Sequence, residues 1–263
     1  LGWMFENGKG IKQDYNQAIK WYKKAAEQGD AKAYLNLGKI YRKGKGIPED
    51  YTQAFYWYKK VADLGDAKAQ YHLGLMNELG KGTDEDYKEA VYWYKKAADQ
   101  GDTKAQLNLA VMFKYGTGVS EDFSQAVFWY KKAAEQGDTK AQLNLGDFYK
   151  NGIGITEDFR QAFYWYKKVA EQGDAGAQSN IAVMYEYGKG VLQDYEKAVY
   201  WYIRAAEQGQ SEAQNSLGWM FENGKGIKQD YNQAIKWYKK AAEQGDAKAY
   251  LNLGKIYRKG KGI

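Results

Sequence analysis

Apolar and polar positions recur with the period of an amphipathic helix, stop at a glycine loop, resume, and then repeat the whole sequence of events. Residues 30–65, DAKAYLNLGKIYRKGKGIPEDYTQAFYWYKKVADLG, show one cycle. Ala33, Leu37, Gly38 and Tyr41 fall on one face of a first helix, helix A. Asp30 is placed to cap its N-terminus, and Gly44 suits the left-handed position at its end. After the turn GKGIPE, helix B begins at Asp50 and carries a buried stripe of Tyr51, Ala54, Phe55, Tyr58, Val61 and Ala62. Gly65 ends it immediately before the next cap, Asp66. Gln53, three residues after Asp50, completes a capping-box pattern that returns as Asp14/Gln17, Asp86/Glu89, Asp122/Gln125, Asp158/Gln161 and Asp230/Gln233; Asp194/Lys197 departs from it.

The cycle has a fixed length. Trp21, Trp57, Trp93, Trp129, Trp165, Trp201 and Trp237 are each 36 residues apart, with no insertion. The caps divide the 263 residues into a partial repeat at 1–29, full repeats at 30–65, 66–101, 102–137, 138–173, 174–209 and 210–245, and a partial repeat at 246–263. A two-helix unit of this size cannot bury its apolar face alone, so burial has to come from stacking on neighbouring repeats. The expected fold is therefore all-α, an array of helix–turn–helix repeats forming one solenoid.

Composition narrows the function classes. There is one proline, and no apolar run approaches the ~18 residues a membrane span needs. The 39 basic residues exceed the 33 acidic ones by six, but the two signs alternate in every repeat, so no polycationic block is available to grip a phosphate backbone. Nucleic-acid or polyanion binding is thus the secondary reading, and no nucleic acid is expected as a partner. With no cysteine, disulfides and thiolate metal sites are excluded, while the redox compartment stays open. His72, the one histidine, has no second histidine or cysteine to help hold a metal. The GKG, GTG and GIG loops follow helices rather than strands and lack the Lys-Ser/Thr of a phosphate cradle. The recurring carboxylates read as caps or as i,i+4 partners such as Lys23/Glu27. No Ser-x-x-Lys, His-Glu-x-x-His or Gly-x-Ser-x-Gly sequence occurs, and catalysis needs one irregular constellation rather than seven equal ones. Neither an enzyme nor a cofactor is expected.

Residues 67–102 contain, in order, AKAQ, LGLM, GKGT, DYKEAVYWYKKAA and GD, and this series recurs at one spacing along the chain. It resembles the Sel-1-like repeat family, relatives of the tetratricopeptide repeats. The resemblance implies a right-handed α/α superhelix that serves as a non-catalytic, protein-binding adaptor, often bacterial and exported, in signalling, host contact or immunity to secreted toxins. It favours a periplasmic or secreted location. The disulfides and weak β-lactam hydrolysis of cysteine-rich relatives do not carry over, since this chain has no cysteine.

Positions that scarcely vary between repeats hold the stack, and varied positions are free for recognition. By the tetratricopeptide resemblance, a concave groove would carry four series from the helices A. These are Lys32, Lys68, Lys104 and Lys140; Leu35, Tyr71, Leu107 and Leu143; Asn36, His72, Asn108, Asn144 and Asn180; and Trp3, Lys39, Leu75, Val111, Asp147, Val183 and Trp219. Ammonium groups, apolar knobs and amides in register would suit a peptide with acidic and apolar side chains, its backbone bonded by the asparagines. The leucines read equally well as inter-repeat packing and the lysines as a solvated face. In later repeats Gly176 and Glu212 replace the lysine, and Ser179 and Asn215 the apolar residue.

Residues 217–263 repeat residues 1–47 letter for letter, whereas 1–36 and 37–72 share 20 of 36 positions. Such identity points to a recent block duplication, an engineered extension or a segment cut from a longer array. Neither end shows a distinct polar cap, so end-to-end self-association or a longer parent chain is expected; monomeric behaviour at high concentration in light scattering would count against the first.

Overall fold

The computed structural model describes residues 1–262, which form fifteen helices and no strand among the described residues. Two compact units divide the chain, residues 1–136 and 137–263. In the first, α1 (Gly2–Asn7), α3 (Ala31–Lys43), α5 (Ala67–Glu78) and α7 (Thr103–Tyr115) are helices A. They alternate with the helices B, α2 (Tyr15–Ala26), α4 (Tyr51–Asp63), α6 (Tyr87–Asp99) and α8 (Phe123–Glu135). In the second, α9 (Thr139–Asn151), α11 (Ala175–Tyr187), α13 (Ser211–Asn223) and α15 (Ala247–Arg258) are helices A. Their helices B are α10 (Phe159–Glu171), α12 (Tyr195–Glu207) and α14 (Tyr231–Glu243). Inside each unit, a helix packs against the one before and the one after it in the chain. This is the α/α solenoid arrangement of helix–turn–helix repeats.

The caps form where the pattern places them. Asp14, Asp50, Asp86, Asp122, Asp158, Asp194 and Asp230 each accept a hydrogen bond from the backbone N–H three residues on, at 2.9–3.0 Å. Asp194 caps its helix despite the break in the capping box, and the intruding Lys197 reaches back to the same carboxylate at 2.7 Å. All helices A from α3 onward begin at a capping aspartate except α13, which starts at Gln210 with no side-chain cap. Gln210→Asp should therefore supply the missing acceptor and a charge favourable to the helix N-terminus, raising stability by about 1 kcal/mol in urea unfolding. An unchanged midpoint would show that another group already satisfies the first turn of α13.

Each repeat closes around the tyrosine of its Trp-Tyr pair. The ring of Tyr58 lies against Gly38, that of Tyr94 against Gly74 and that of Tyr238 against Gly218, and all three tyrosines are fully buried. Tyr51 and Phe55 are half-buried, flanking the core formed by Ala54, Tyr58, Val61, Ala62, Ala69, Leu73, Met76 and Trp93. That cluster draws on α4, α5 and α6 at once, so burial is shared across the repeat boundary.

A second bond across repeats has no local sequence signature. Gln70 and Gln106 are buried, and their amide nitrogens donate to the carbonyls of Ala62 and Ala98 at 3.1 Å. Their amide oxygens accept from Gln100 and Gln136, each at 2.7 Å. One glutamine thus ties three consecutive helices together. Gln178 and Gln214 do the same in the second unit, with Ala170 and Gln208, and with Ala206 and Gln244.

Candidate functional site

The helices A present the predicted series as follows. Lys32, Lys68, Lys104 and Lys140 are exposed near the starts of their helices. Leu35, Tyr71, Leu107 and Leu143 are half-buried; Leu35 and Leu143 lean against core clusters of their own units. Asn36, His72, Asn108, Asn144 and Asn180 are likewise half-buried. Trp3, Val111, Asp147, Val183 and Trp219 are exposed, and Lys39 and Leu75 partly so.

The amide series is engaged by the protein itself. Asn36 and Asn108 lie close enough to the hydroxyls of the buried Tyr22 and Tyr94 to oppose the rise in their pKa, and Asn144 donates to the Lys140 carbonyl at 2.9 Å. Asn144 therefore spends hydrogen-bonding capacity on the scaffold. The same tyrosine hydroxyls meet a second residue on helix A, and this one changes sign along the chain. Tyr22 pairs with Glu6 at 2.8 Å, Tyr58 with Arg42 at 3.2 Å, and Tyr94 with Glu78. In the second unit Tyr166 pairs with Asp147 at 2.5 Å, Tyr202 with Glu186 at 2.6 Å and Tyr238 with Glu222 at 2.9 Å. Burial, then the carboxylate as hydrogen-bond acceptor and neighbouring charge, drives the pKa of Tyr94, Tyr166, Tyr202 and Tyr238 far above the ordinary tyrosine range. These hydroxyls stay protonated and act as donors.

His72 reports the local potential. Its ring lies 4.9 Å from that of Tyr58 and 5.4 Å from that of Tyr71. Burial first, and then the charges of Arg42, Lys104 and Lys39, together lower its pKa to about 4, against a weaker opposing effect of Asp66. Three cations from α3 and α7 thus converge on one side chain of α5. The neighbouring Tyr71 also feels the carboxylates of Asp102 and Glu78, so both signs meet on this face, while His72 itself is neutral above that pKa. Among the described residues no cluster of histidine, cysteine or carboxylate side chains could hold a metal ion.

Two clefts gather parts of the predicted set. One of about 630 Å³ in the first unit brings Trp3, Lys32 and Asn36 together with Trp21 and Tyr22. Another of about 430 Å³ in the second unit places Trp219 beside Glu186, Tyr187, Asn215, Ser216 and Lys248. Asn215 there accepts a hydrogen bond from Asn252 at 3.1 Å. The cleft of the second unit is thus lined with aromatics, amides, a carboxylate and one lysine. One expected ion pair is replaced: the Lys23 ammonium lies 5.9 Å from the Tyr41 ring centroid rather than on Glu27, while the equivalent pairs one and four repeats later, Lys59–Asp63 and Lys167–Glu171, do close at 3.0 and 3.7 Å.

Alternating helices A and B at a fixed period define a tandem α/α repeat protein. Sel1 repeats match residues 1–30, 31–66, 67–102, 103–138, 139–174, 175–210, 211–246 and 247–263, and the chain belongs to the Sel1 repeat family. No curated protein matches it. It is similar to the crystal structure of a protective antigen present in uropathogenic Escherichia coli strains and displaying an SLR fold, at 37% identity and a TM-score of 0.75. That match covers all of this chain and 64% of the other, so this chain spans less than two thirds of that relative. A Sel1 repeat protein from Oxalobacter formigenes is 36% identical, with a TM-score of 0.69, covering 97% of this chain and 74% of that one. Sel1 repeats are in general protein-interaction scaffolds without catalytic activity. No helix among the described residues is long and apolar enough to cross a membrane.

Proposed function

We propose that the helix-A face of the first unit binds an acidic, partly apolar segment of a protein partner, and that the chain works as a bacterial adaptor or toxin-immunity protein. The observation that carries this reading is the convergence of Arg42, Lys104 and Lys39 on His72. These cations share the face with Glu78 and Asp102, and an acidic segment of the partner would answer the positive charge those carboxylates leave over. The exposed Lys32 and Lys68 extend the same sign, and the half-buried Tyr71 and Leu107 offer apolar contact between the charges. An extended or helical peptide with alternating acidic and apolar side chains meets both requirements. Two bacterial relatives above 35% identity supply the setting.

The test is capture on immobilised protein from native lysate and envelope fractions, identified by mass spectrometry, with Lys104→Ala/Leu107→Ala as the comparison. A partner retained by the parent chain and lost by the double variant, at equal helicity by circular dichroism, is the expected outcome. Equal capture by both would place recognition elsewhere.

A further inference from the structure

The helices B carry a regular feature on their exposed side. The position immediately before the repeat's tryptophan is Tyr56, Tyr92 and Phe128 in the first unit and Tyr164 and Tyr200 in the second, with Lys20 and Lys236 as the exceptions. All five aromatic rings are between 46% and 51% exposed, an unusual constancy for large apolar groups at a surface. They share one pose. Tyr56, Tyr92 and Phe128 each stand edge-to-face against the following tryptophan, at centroid distances of 4.8, 4.9 and 4.9 Å. The second lysine of each Lys-Lys pair rests near the same ring: Lys60 at 5.6 Å from Tyr56, Lys96 at 4.6 Å from Tyr92 and Lys132 at 5.7 Å from Phe128. Tyr164 with Lys168 and Tyr200 with Arg204 repeat the arrangement in the second unit.

The charges on this side divide unequally. Where an ion pair forms with the carboxylate four residues on, it is made by the first lysine of the pair, as in Lys59–Asp63 and Lys167–Glu171. Among the described residues, Lys60, Lys96 and Lys132 form no ion pair. The three repeats of Tyr56, Tyr92 and Phe128 therefore each display one half-exposed aromatic ring beside one cation that forms no ion pair. Lys96 and Lys168 also lie 5.4 and 5.3 Å from Trp93 and Trp165, and where the ring is absent the lysine comes closer to the tryptophan, Lys24 to 4.8 Å from Trp21 and Lys240 to 4.3 Å from Trp237. The tryptophan and lysine can thus pack together without the added aromatic, so folding does not explain its presence in the five central repeats.

We infer that the helix-B row of the first unit, Tyr56/Lys60, Tyr92/Lys96 and Phe128/Lys132, is a binding surface for a linear anionic polysaccharide of uronate type. Identical subsites repeated once per helix pair match a ligand that is itself a repeat, whereas a folded protein surface would meet each subsite with different chemistry. A uronate residue has an apolar ring face for the exposed part of the aromatic and a carboxylate for the ammonium beside it. The surface is distinct from the helix-A face and does not depend on that reading.

Polygalacturonate is the probe, with the full chain titrated by calorimetry. The decisive variant is Tyr56→Lys/Tyr92→Lys/Phe128→Lys, which installs the residue the chain already uses at Lys20 and Lys236. It removes three rings while adding three positive charges. Binding by the parent chain, and binding roughly tenfold or more weaker in the variant, is expected. Equal or tighter binding by the variant would reduce the surface to charge alone and overturn the inference. So would inorganic polyphosphate competing as strongly as polygalacturonate, or binding to phosphatidylglycerol vesicles with none to the polysaccharide. On the unaltered protein, hydroxyl-radical footprinting should show polygalacturonate protecting Tyr56, Tyr92 and Phe128; unchanged labelling there overturns it independently of how the variant folds.

Discussion

Replacing Gly118 with alanine is expected to destabilise the first unit by roughly 2–5 kcal/mol, the sum of a left-handed backbone penalty and overpacking. Gly118 has φ +69°, and a Cβ there would stand 2.3 Å from the carbonyl oxygen of Tyr87, the first residue of the preceding helix B. A backbone carbonyl at a helix start cannot swing away as a side chain can, so the A–B loop of one repeat would be pushed off the helix it rests on. Gly101 supplies the control. It has φ +91°, but a methyl group added there would find nothing within 4 Å, so Gly101→Ala should cost only the conformational part, about 1–2 kcal/mol. Urea unfolding of the two variants separates conformational strain from stacking. Equal losses would mean that the loop contact contributes nothing to repeat stacking.

Acidification should weaken the protein through His72. Its folded pKa of about 4 lies below the unfolded value near 6.5, so between these limits the unfolded chain binds more protons than the folded one. The stability present above pH 6.5 is therefore lost as pH falls toward the folded pKa. Near pH 5 the loss amounts to about 2 kcal/mol relative to neutral pH. His72→Asn installs the residue found at Asn36, Asn108, Asn144 and Asn180 and removes this component. Unfolding curves at about pH 7 and about pH 5 should show the parent chain losing that much more than the variant. Parallel losses would place the histidine in solvent, away from the field of Arg42 and Lys104.

The period, the helix boundaries and the caps could be read from sequence because each depends on residues a few positions apart. Asp50 and Gln53, or Gly44 at its helix end, settle their geometry locally. The glutamine bonds could not, since Gln100 finds Gln70 thirty residues away and invariance of a residue does not reveal its partner. For the same reason Asn36 and Asn108 resembled free ligand-binding amides, although they lie beside buried tyrosine hydroxyls of another helix. The leucine series mixes two roles, Leu35 and Leu143 leaning on the core while remaining partly open. Sign along the helix-A face was readable as an inventory of lysines, but its focus on His72 required three helices in place.

The division of labour between a stack held by invariant positions and a helix-A face left for recognition is tested most directly by Lys104→Glu/Val111→Asp. Both substituted residues occur at equivalent places in this chain, as Glu212 and Asp147, and both altered positions are exposed. The free energy of unfolding in urea should change by less than about 0.5 kcal/mol, as for surface positions without packing duties. A loss of about 2 kcal/mol or more would show that these side chains hold the repeats together, and would contradict their assignment to recognition.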